Sequence, residues 1–126
     1  MKLQDFDFRI WNNETERYET NKPLISLLMI DVLTRVAHLN GNKFEIELWT
    51  GIYDKNGKKI YEGDIVKTKS PYDCFLAKVG IHKEGTFYLE GKNGDYIGSL
   101  IYLVEDEGYT IETIGNIHEN PELLKC

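Results

Sequence analysis

Short segments that alternate apolar and polar residues, separated by turns rich in glycine, asparagine and aspartate, constrain this fold most. Residues 44–49 alternate in this way, and turn-forming residues follow at 54–58, 84–85, 92–94 and 107–108. Alternation with a period of two is typical of half-buried strands, and closely spaced turns favour a sandwich or a barrel. The sequence therefore predicts a mainly β protein with little helix.

The predicted core is a small SH3-like barrel or β-sandwich over about residues 44–117. Residues 6–11 and Tyr18 predict an N-terminal hairpin, and the apolar run 100–104 predicts a short strand. Residues 24–39 fit a helix and a strand equally well, because apolar residues recur at helical spacing and also form an unbroken run. Both alternatives stay open there.

The composition is that of one folded domain covering residues 1–126. Hydrophobic residues make up 41% and charged residues 29% of the chain, values typical of globular proteins. The net charge is −6, but residues 49–83 carry seven basic and four acidic residues, whereas residues 84–126 carry two basic and nine acidic residues. An acidic total disfavours general nucleic-acid binding, although the basic middle of the chain keeps that option open.

The cysteines and the apolar segments indicate a cytoplasmic protein. Cys74 and Cys126 are far apart and form no C-x-x-C motif, so both are interpreted as reduced thiols. No apolar signal-peptide segment occupies residues 1–10, and polar residues interrupt the run 24–39. The sequence therefore predicts no association with a membrane.

A turn at Tyr61-Glu62-Gly63-Asp64 leads into an apolar strand and is the most distinctive local feature. Glycine here favours a backbone conformation that a Cβ would hinder, and aspartate can accept hydrogen bonds from nearby N–H groups. A turn required for folding is the favoured interpretation. The functional alternative is an interaction surface formed by Tyr61, Glu62, Asp64, Lys58, Lys59 and His118.

The sequence predicts neither a catalytic site nor a cofactor or metal site. Glu62 and Asp64 could form a carboxylate pair, but an exposed turn rarely provides the cleft that acid–base catalysis needs. The histidines are scattered, and the glycines have the wrong spacing for a nucleotide-binding loop. Most tyrosines are interpreted as structural strand residues.

Three segments carry a resemblance to a known family. Residues 49–66 (WTGIYDKNGKKIYEGDIV), residues 111–124 (IETIGNIHENPELL) and residues 8–11 (FRIW) resemble segments of the YopX family. The similarity is weak between residues 18 and 44. The resemblance implies a phage or prophage origin and a mainly β fold, and it implies no activity.

Three functional hypotheses follow, of which the lowest-ranked is an enzyme whose site is assembled from residues distant in the sequence. The first is a non-enzymatic protein-binding or assembly module that acts on an unknown host or phage protein in the host cytoplasm, with a homo-oligomer as an option. The alternative is a small β-barrel protein associated with nucleic acid through the lysines of the basic segment, because small β-barrels do bind nucleic acid.

Overall fold

The computed structural model describes residues 6–34 and 43–124. These residues form a mainly β protein with two compact units: a smaller one over Asp7–Leu48, and a larger one that holds Phe6 and the described chain from Trp49 onward. The elements are β1 (Phe8–Asn12), β2 (Arg17–Tyr18), α1 (Lys22–Thr34), β3 (Phe44–Tyr53), β4 (Lys59–Tyr61), β5 (Asp64–Lys69), β6 (Cys74–Ile81), β7 (Phe87–Glu90), β8 (Tyr96–Ser99) and β9 (Thr110–Asn116).

The smaller unit begins with the predicted N-terminal hairpin, which is confirmed. Strands β1 and β2 pair in antiparallel fashion with Trp11 opposite Tyr18, and β1 also pairs with residues 44–48 of β3. The buried Glu47 accepts hydrogen bonds from Arg9 Nε at 2.7 Å and from the Tyr18 hydroxyl at 2.9 Å. The ion pair of Arg9 and Glu47 is therefore largely buried in this small sheet.

Helix α1 decides between the two alternatives for residues 24–39 in favour of the helix. Asn21 acts as its N-cap, because its Oδ1 accepts the Leu24 N–H at 3.1 Å and its carbonyl accepts the Ile25 N–H at 3.0 Å. Pro23 lies in the first turn, where a missing N–H costs nothing. The residues after Thr34 in this segment lie outside the described part of the chain. Within residues 6–34 and 43–124, no helix has both the length and the apolar character needed to cross a membrane.

The larger unit contains a five-stranded antiparallel sheet in the order β8-β7-β6-β5-β9. Its inner face follows the alternation of the sequence: on β5, Val66 and Thr68 are buried whereas Lys67 and Lys69 are exposed. The buried core of this unit consists of Ile60, Val66, Ala77, Val79, Leu89, Leu100, Leu103 and Ile111.

The prediction of a strand at residues 100–104 is wrong. This segment forms a helical turn that runs into a π-helix at Tyr102–Asp106. Leu100 and Leu103 are buried at a three-residue spacing, whereas Ile101 and Tyr102 between them are exposed. That pattern is helical, and an apolar run of five residues does not distinguish it from a strand. The exposed Tyr102 hydroxyl donates to Glu107 Oε1 at 2.7 Å, and this hydrogen bond raises the pKa of Tyr102.

The turn that joins β3 to β4 is built around the buried carboxylate of Asp54. Oδ1 accepts the N–H groups of Asn56 and Lys58 at 2.8 and 2.9 Å, and Oδ2 accepts the N–H of Thr113 on β9 at 3.0 Å. The N–H of Lys55 donates to the Ile111 carbonyl at 2.8 Å. The turn therefore covers the edge of β9 that faces away from β5, which protects backbone groups that an open edge would expose.

Burial of Asp54 acts to raise its pKa, but the backbone N–H groups of Thr113, Lys58 and Asn56 favour the charged carboxylate. Their effect is the larger one, so the pKa of Asp54 lies below its usual value. From the sequence, Asp54 is predicted only to be part of a polar turn, because its contact with β9 joins residues 59 positions apart.

Candidate interaction surface

The Tyr61–Asp64 turn is a junction inside the larger unit. Gly63 has a φ of +87°, the kind of conformation that was predicted from the glycine at this position. Its N–H donates to the Val79 carbonyl at 2.8 Å. The Gly63 carbonyl accepts the N–H of Ile117 at 2.9 Å, so one residue links β6 to the segment after β9. The Asp64 carboxylate accepts the N–H of Tyr61 at 2.8 Å. The prediction of a turn that leads into a strand is confirmed here.

The residues of the predicted interaction surface differ in how accessible they are. Asp64 is 1% exposed and lies in the interior, so it has to be removed from that surface. Tyr61 and Glu62 are half-buried and Lys58 is exposed. The hydrogen bond of Asp64 to the backbone explains why this carboxylate is inside: it satisfies a donor that the turn leaves open.

Lys59 and His118, the remaining members, are both half-buried. The Lys59 ammonium lies 4.5 Å from the centre of the Trp49 ring, a cation–π contact that keeps it against its own strand pair. His118 follows Ile117, the residue bonded to Gly63, and its backbone N–H donates to Asn116 Oδ1 at 3.0 Å. The backbone therefore brings His118 next to the turn.

An aromatic cluster that was not identified from the sequence lies on β7, β8 and the residue that follows β6. The rings of His82 and Tyr88 are stacked, with centroids 4.1 Å apart and planes 20° apart. Tyr96 completes the cluster, with its centroid 5.6 Å from His82 and 5.8 Å from Tyr88, and is 61% exposed. We refer to His82, Tyr88 and Tyr96 as the aromatic face.

Gly80 makes the aromatic face possible. It lies opposite Tyr88 in the β6–β7 pair, and a Cβ built on it would lie 2.6 Å from Tyr88 Cζ. No side chain other than hydrogen leaves room for the Tyr88 ring across β6. The only sequence signal was one glycine within a strand, which often marks a close approach.

Gly80→Ala is therefore expected to move the Tyr88 ring away from its stacked position on His82. The added methyl group cannot occupy the space of the ring, and such overpacking costs about 1–3 kcal/mol where the neighbours have to shift. Loss of the near-ultraviolet circular dichroism of Tyr88 and of the ring-current shift on the His82 protons would report the movement. Gly91→Ala tests the readout, because Gly91 has no positive φ and a Cβ there would meet its nearest neighbour, Ile97 Cδ1, at an ordinary contact distance of 3.6 Å. Unchanged His82 shifts in Gly80→Ala would contradict the prediction.

The lysines of the basic segment do not form one continuous surface. Lys78 pairs with Glu90 at 2.9 Å, and Lys59 lies over Trp49. Lys55, Lys67 and Lys69 instead line a shared depression with Thr110 and Glu112. Among the described residues, no group of three or more histidine, cysteine or acidic side chains is placed to hold a metal ion.

A family model described as YopX protein matches residues 7–125. A search of curated proteins gives no match. Among solved structures, the chain is similar to protein EF1440 from Enterococcus faecalis, with 33% sequence identity and a TM-score of 0.46. That similarity covers 66% of this chain and 57% of the EF1440 chain, so it spans less than two thirds of that protein.

Proposed function

Since this chain belongs to the YopX protein family, we propose that it is a non-enzymatic protein-binding or assembly module of a phage or prophage. It acts in the host cytoplasm on a host or phage protein. The aromatic face is the single observation that carries this proposal. The closure of the β9 edge by the Asp54 turn also supports the finer prediction of an SH3-like barrel.

The aromatic face has the chemistry of a protein-binding surface. Three rings lie together on one side of the sheet, and Tyr96 leaves most of its side chain in water. Tyrosine is enriched at protein interfaces because it buries a large area and loses few rotatable bonds. A purely structural cluster gains little from an exposed ring, whereas a binding surface gains from one.

The buried carboxylates of Asp54 and Asp64 have structural duties, and this supports a non-enzymatic role. The carboxylate of Asp64 holds the Tyr61 N–H, and that of Asp54 holds three backbone N–H groups. Neither carboxylate is presented to a substrate. Both are better explained by the folding of the two turns.

Association with nucleic acid is the weaker alternative. Affinity for a polyanion grows with the number of phosphates that a protein neutralises. Lys59 and Lys78 are engaged with Trp49 and Glu90, and residues 84–126 carry a charge of −7. These features leave fewer free positive charges than the sequence analysis assumed.

Tyr96→Ala is expected to reduce partner recovery in a tagged pull-down from induced host cells about tenfold or more, as for an aromatic hot spot. Mass spectrometry would quantify the partner relative to wild type. Tyr72→Ala is the matched control, because Tyr72 is 97% exposed and lies outside the aromatic face. Equal recovery with wild type and Tyr96→Ala would reject the aromatic face as the binding surface. Nucleic acid that co-elutes and is removed by salt would favour the alternative.

A further inference from the structure

A depression on the outer surface of the larger unit collects three lysines from separate parts of the sequence. Lys67 and Lys69 are alternate residues of β5, so both project from the side opposite the core. Opposite them on β9 lie Glu112 and Thr110. Lys55 comes from the turn whose N–H is bonded to the Ile111 carbonyl, and this bond holds the turn beside β9. We name this feature the lysine depression.

The lysine depression has an excess of positive charge. Its one carboxylate, Glu112, already has two partners: Lys55 Nζ at 3.6 Å and Asn56 Nδ2 at 3.5 Å. Neither Lys67 nor Lys69 forms an ion pair within the part of the chain that the structure describes. Three lysines and one carboxylate therefore line the depression, which gives these residues a net charge of +2 at neutral pH.

The depression has room for a small ligand. Its volume is about 80 Å³, and about 10–15 Å³ of such space is enough to hold one water molecule. It can therefore take one tetrahedral oxyanion in place of several waters. Lysine ammonium groups bind phosphate as point charges. Thr110 also lines the depression, and its hydroxyl donates to the Lys69 carbonyl at 3.3 Å.

We propose that the lysine depression is a binding site for a single phosphate group. Lys67 and Lys69 supply the two uncompensated charges, Lys55 supplies the third ammonium, and Glu112 limits the affinity by repelling the anion. The phosphate can be inorganic phosphate or the phosphate of a small organic ester. This site is separate from the aromatic face and does not depend on its function.

A single phosphate fits the charge pattern better than a nucleic-acid strand does. A strand presents successive phosphates and is held by a series of basic contacts. The lysine depression offers one compact group of cations, and the protein as a whole carries a charge of −6. A long polyanion would be repelled by the acidic remainder of the chain, whereas a small anion is affected by the local charge alone.

The test is a nuclear magnetic resonance titration of the labelled protein with inorganic phosphate, a nucleoside monophosphate and the unphosphorylated nucleoside, with potassium chloride at matched ionic strength. Saturable shifts at the amides of Lys67, Lys69 and Thr110 are expected with both phosphates and not with the nucleoside. Tighter binding of the monophosphate would identify an organic ester as the ligand, and equal binding would identify free phosphate.

The proposal predicts that two sets of substitutions change the affinity for phosphate in opposite directions. Lys67→Gln with Lys69→Gln is expected to weaken phosphate binding about tenfold or more, whereas Glu112→Gln is expected to strengthen it several-fold. Lys83→Gln with Lys92→Gln is the matched control, because both lysines are exposed and outside the depression. Lys67→Arg with Lys69→Arg keeps the charge and should keep the binding.

Three results would overturn the proposal. Shifts that follow ionic strength alone would show that there is no specific site. Equal affinity in wild type and in the Lys67→Gln, Lys69→Gln variant would place binding elsewhere. Much tighter and steeply salt-dependent binding of a single-stranded oligonucleotide would replace the single phosphate with nucleic acid as the ligand.

Discussion

Asp54→Asn is expected to lower the free energy of unfolding by about 3 kcal/mol or more, because the buried carboxylate accepts three backbone N–H groups. An amide offers only one oxygen, and its NH₂ group would face an N–H that also donates. The bonds to Asn56 and Lys58 that shape the turn, or the bond to Thr113 on β9, would then be lost. Urea denaturation followed by tryptophan fluorescence measures the change.

Asp95→Asn is the matched control, since Asp95 is an exposed aspartate in another turn between strands. Its substitution should change stability by about 0.5 kcal/mol or less, as surface changes usually do. An equally small effect of Asp54→Asn would show that the turn does not depend on its carboxylate.

The Asp54→Asn substitution also changes how the free energy of unfolding depends on pH. The pKa of Asp54 is lower in the folded protein than its ordinary value of 3.8, so the unfolded chain takes up its proton at the higher pH. The stability contributed by this carboxylate is therefore complete above that ordinary value and is lost as the pH falls through the folded pKa. The difference in the free energy of unfolding between wild type and Asp54→Asn should shrink as the pH falls from 3.8 to the folded pKa of Asp54. A difference that stays constant across that pH range would contradict the assigned pKa direction.

Glu47→Ala is expected to cost about 3 kcal/mol, because removal of one partner leaves the Arg9 charge largely buried. The side chains of Arg9 and Glu47 are 19% and 6% exposed, and Tyr18 donates to the same carboxylate. In a double-mutant cycle with Arg9→Ala, the double variant should lose less stability than the sum of the two single losses, by about 1 kcal/mol or more. Urea denaturation of the four proteins gives the coupling energy.

The neighbouring pair of Lys43 and Glu14 provides the comparison. These side chains approach to 3.3 Å but are 38% and 68% exposed, so water screens their attraction. Their cycle should give a coupling energy of about 0.5 kcal/mol, as exposed pairs usually do. Similar coupling energies for the two pairs would mean that burial does not strengthen the contact of Arg9 with Glu47.

Local patterns predicted much of the sheet. The alternation in residues 44–49 and the apolar strand predicted after the Tyr61–Asp64 turn correspond to β3 and β5. The positive φ of Gly63 was also predictable, because glycine tolerates that conformation without a steric cost. Each of these features depends on residues within a few positions of one another.

For apolar runs without alternation, the sequence did not distinguish a helix from a strand. Residues 24–39 fitted a helix and a strand equally, and residues 100–104 were predicted as a strand but form a helical turn. In both segments the deciding information is which side chains face the core. Burial of Leu100 and Leu103 on one side of a helical turn is a property of the packed protein.

The candidate sites depended even more on tertiary structure. The interaction surface predicted around the Tyr61–Asp64 turn included Asp64, which is buried. The aromatic face depends on the register that places Gly80 opposite Tyr88. The lysine depression joins Lys55 to β5 and β9, whose residues are far apart in the chain.

The sequence by itself determined the mainly β class, the glycine turns and the resemblance to the YopX family, because these follow from local residue preferences and from motifs that can be read in order. Only the tertiary structure decided that Asp54 and Asp64 point inward and that Lys55, Lys67 and Lys69 come together. Strand register and sheet order bring distant residues into contact, and a linear pattern of residues contains neither.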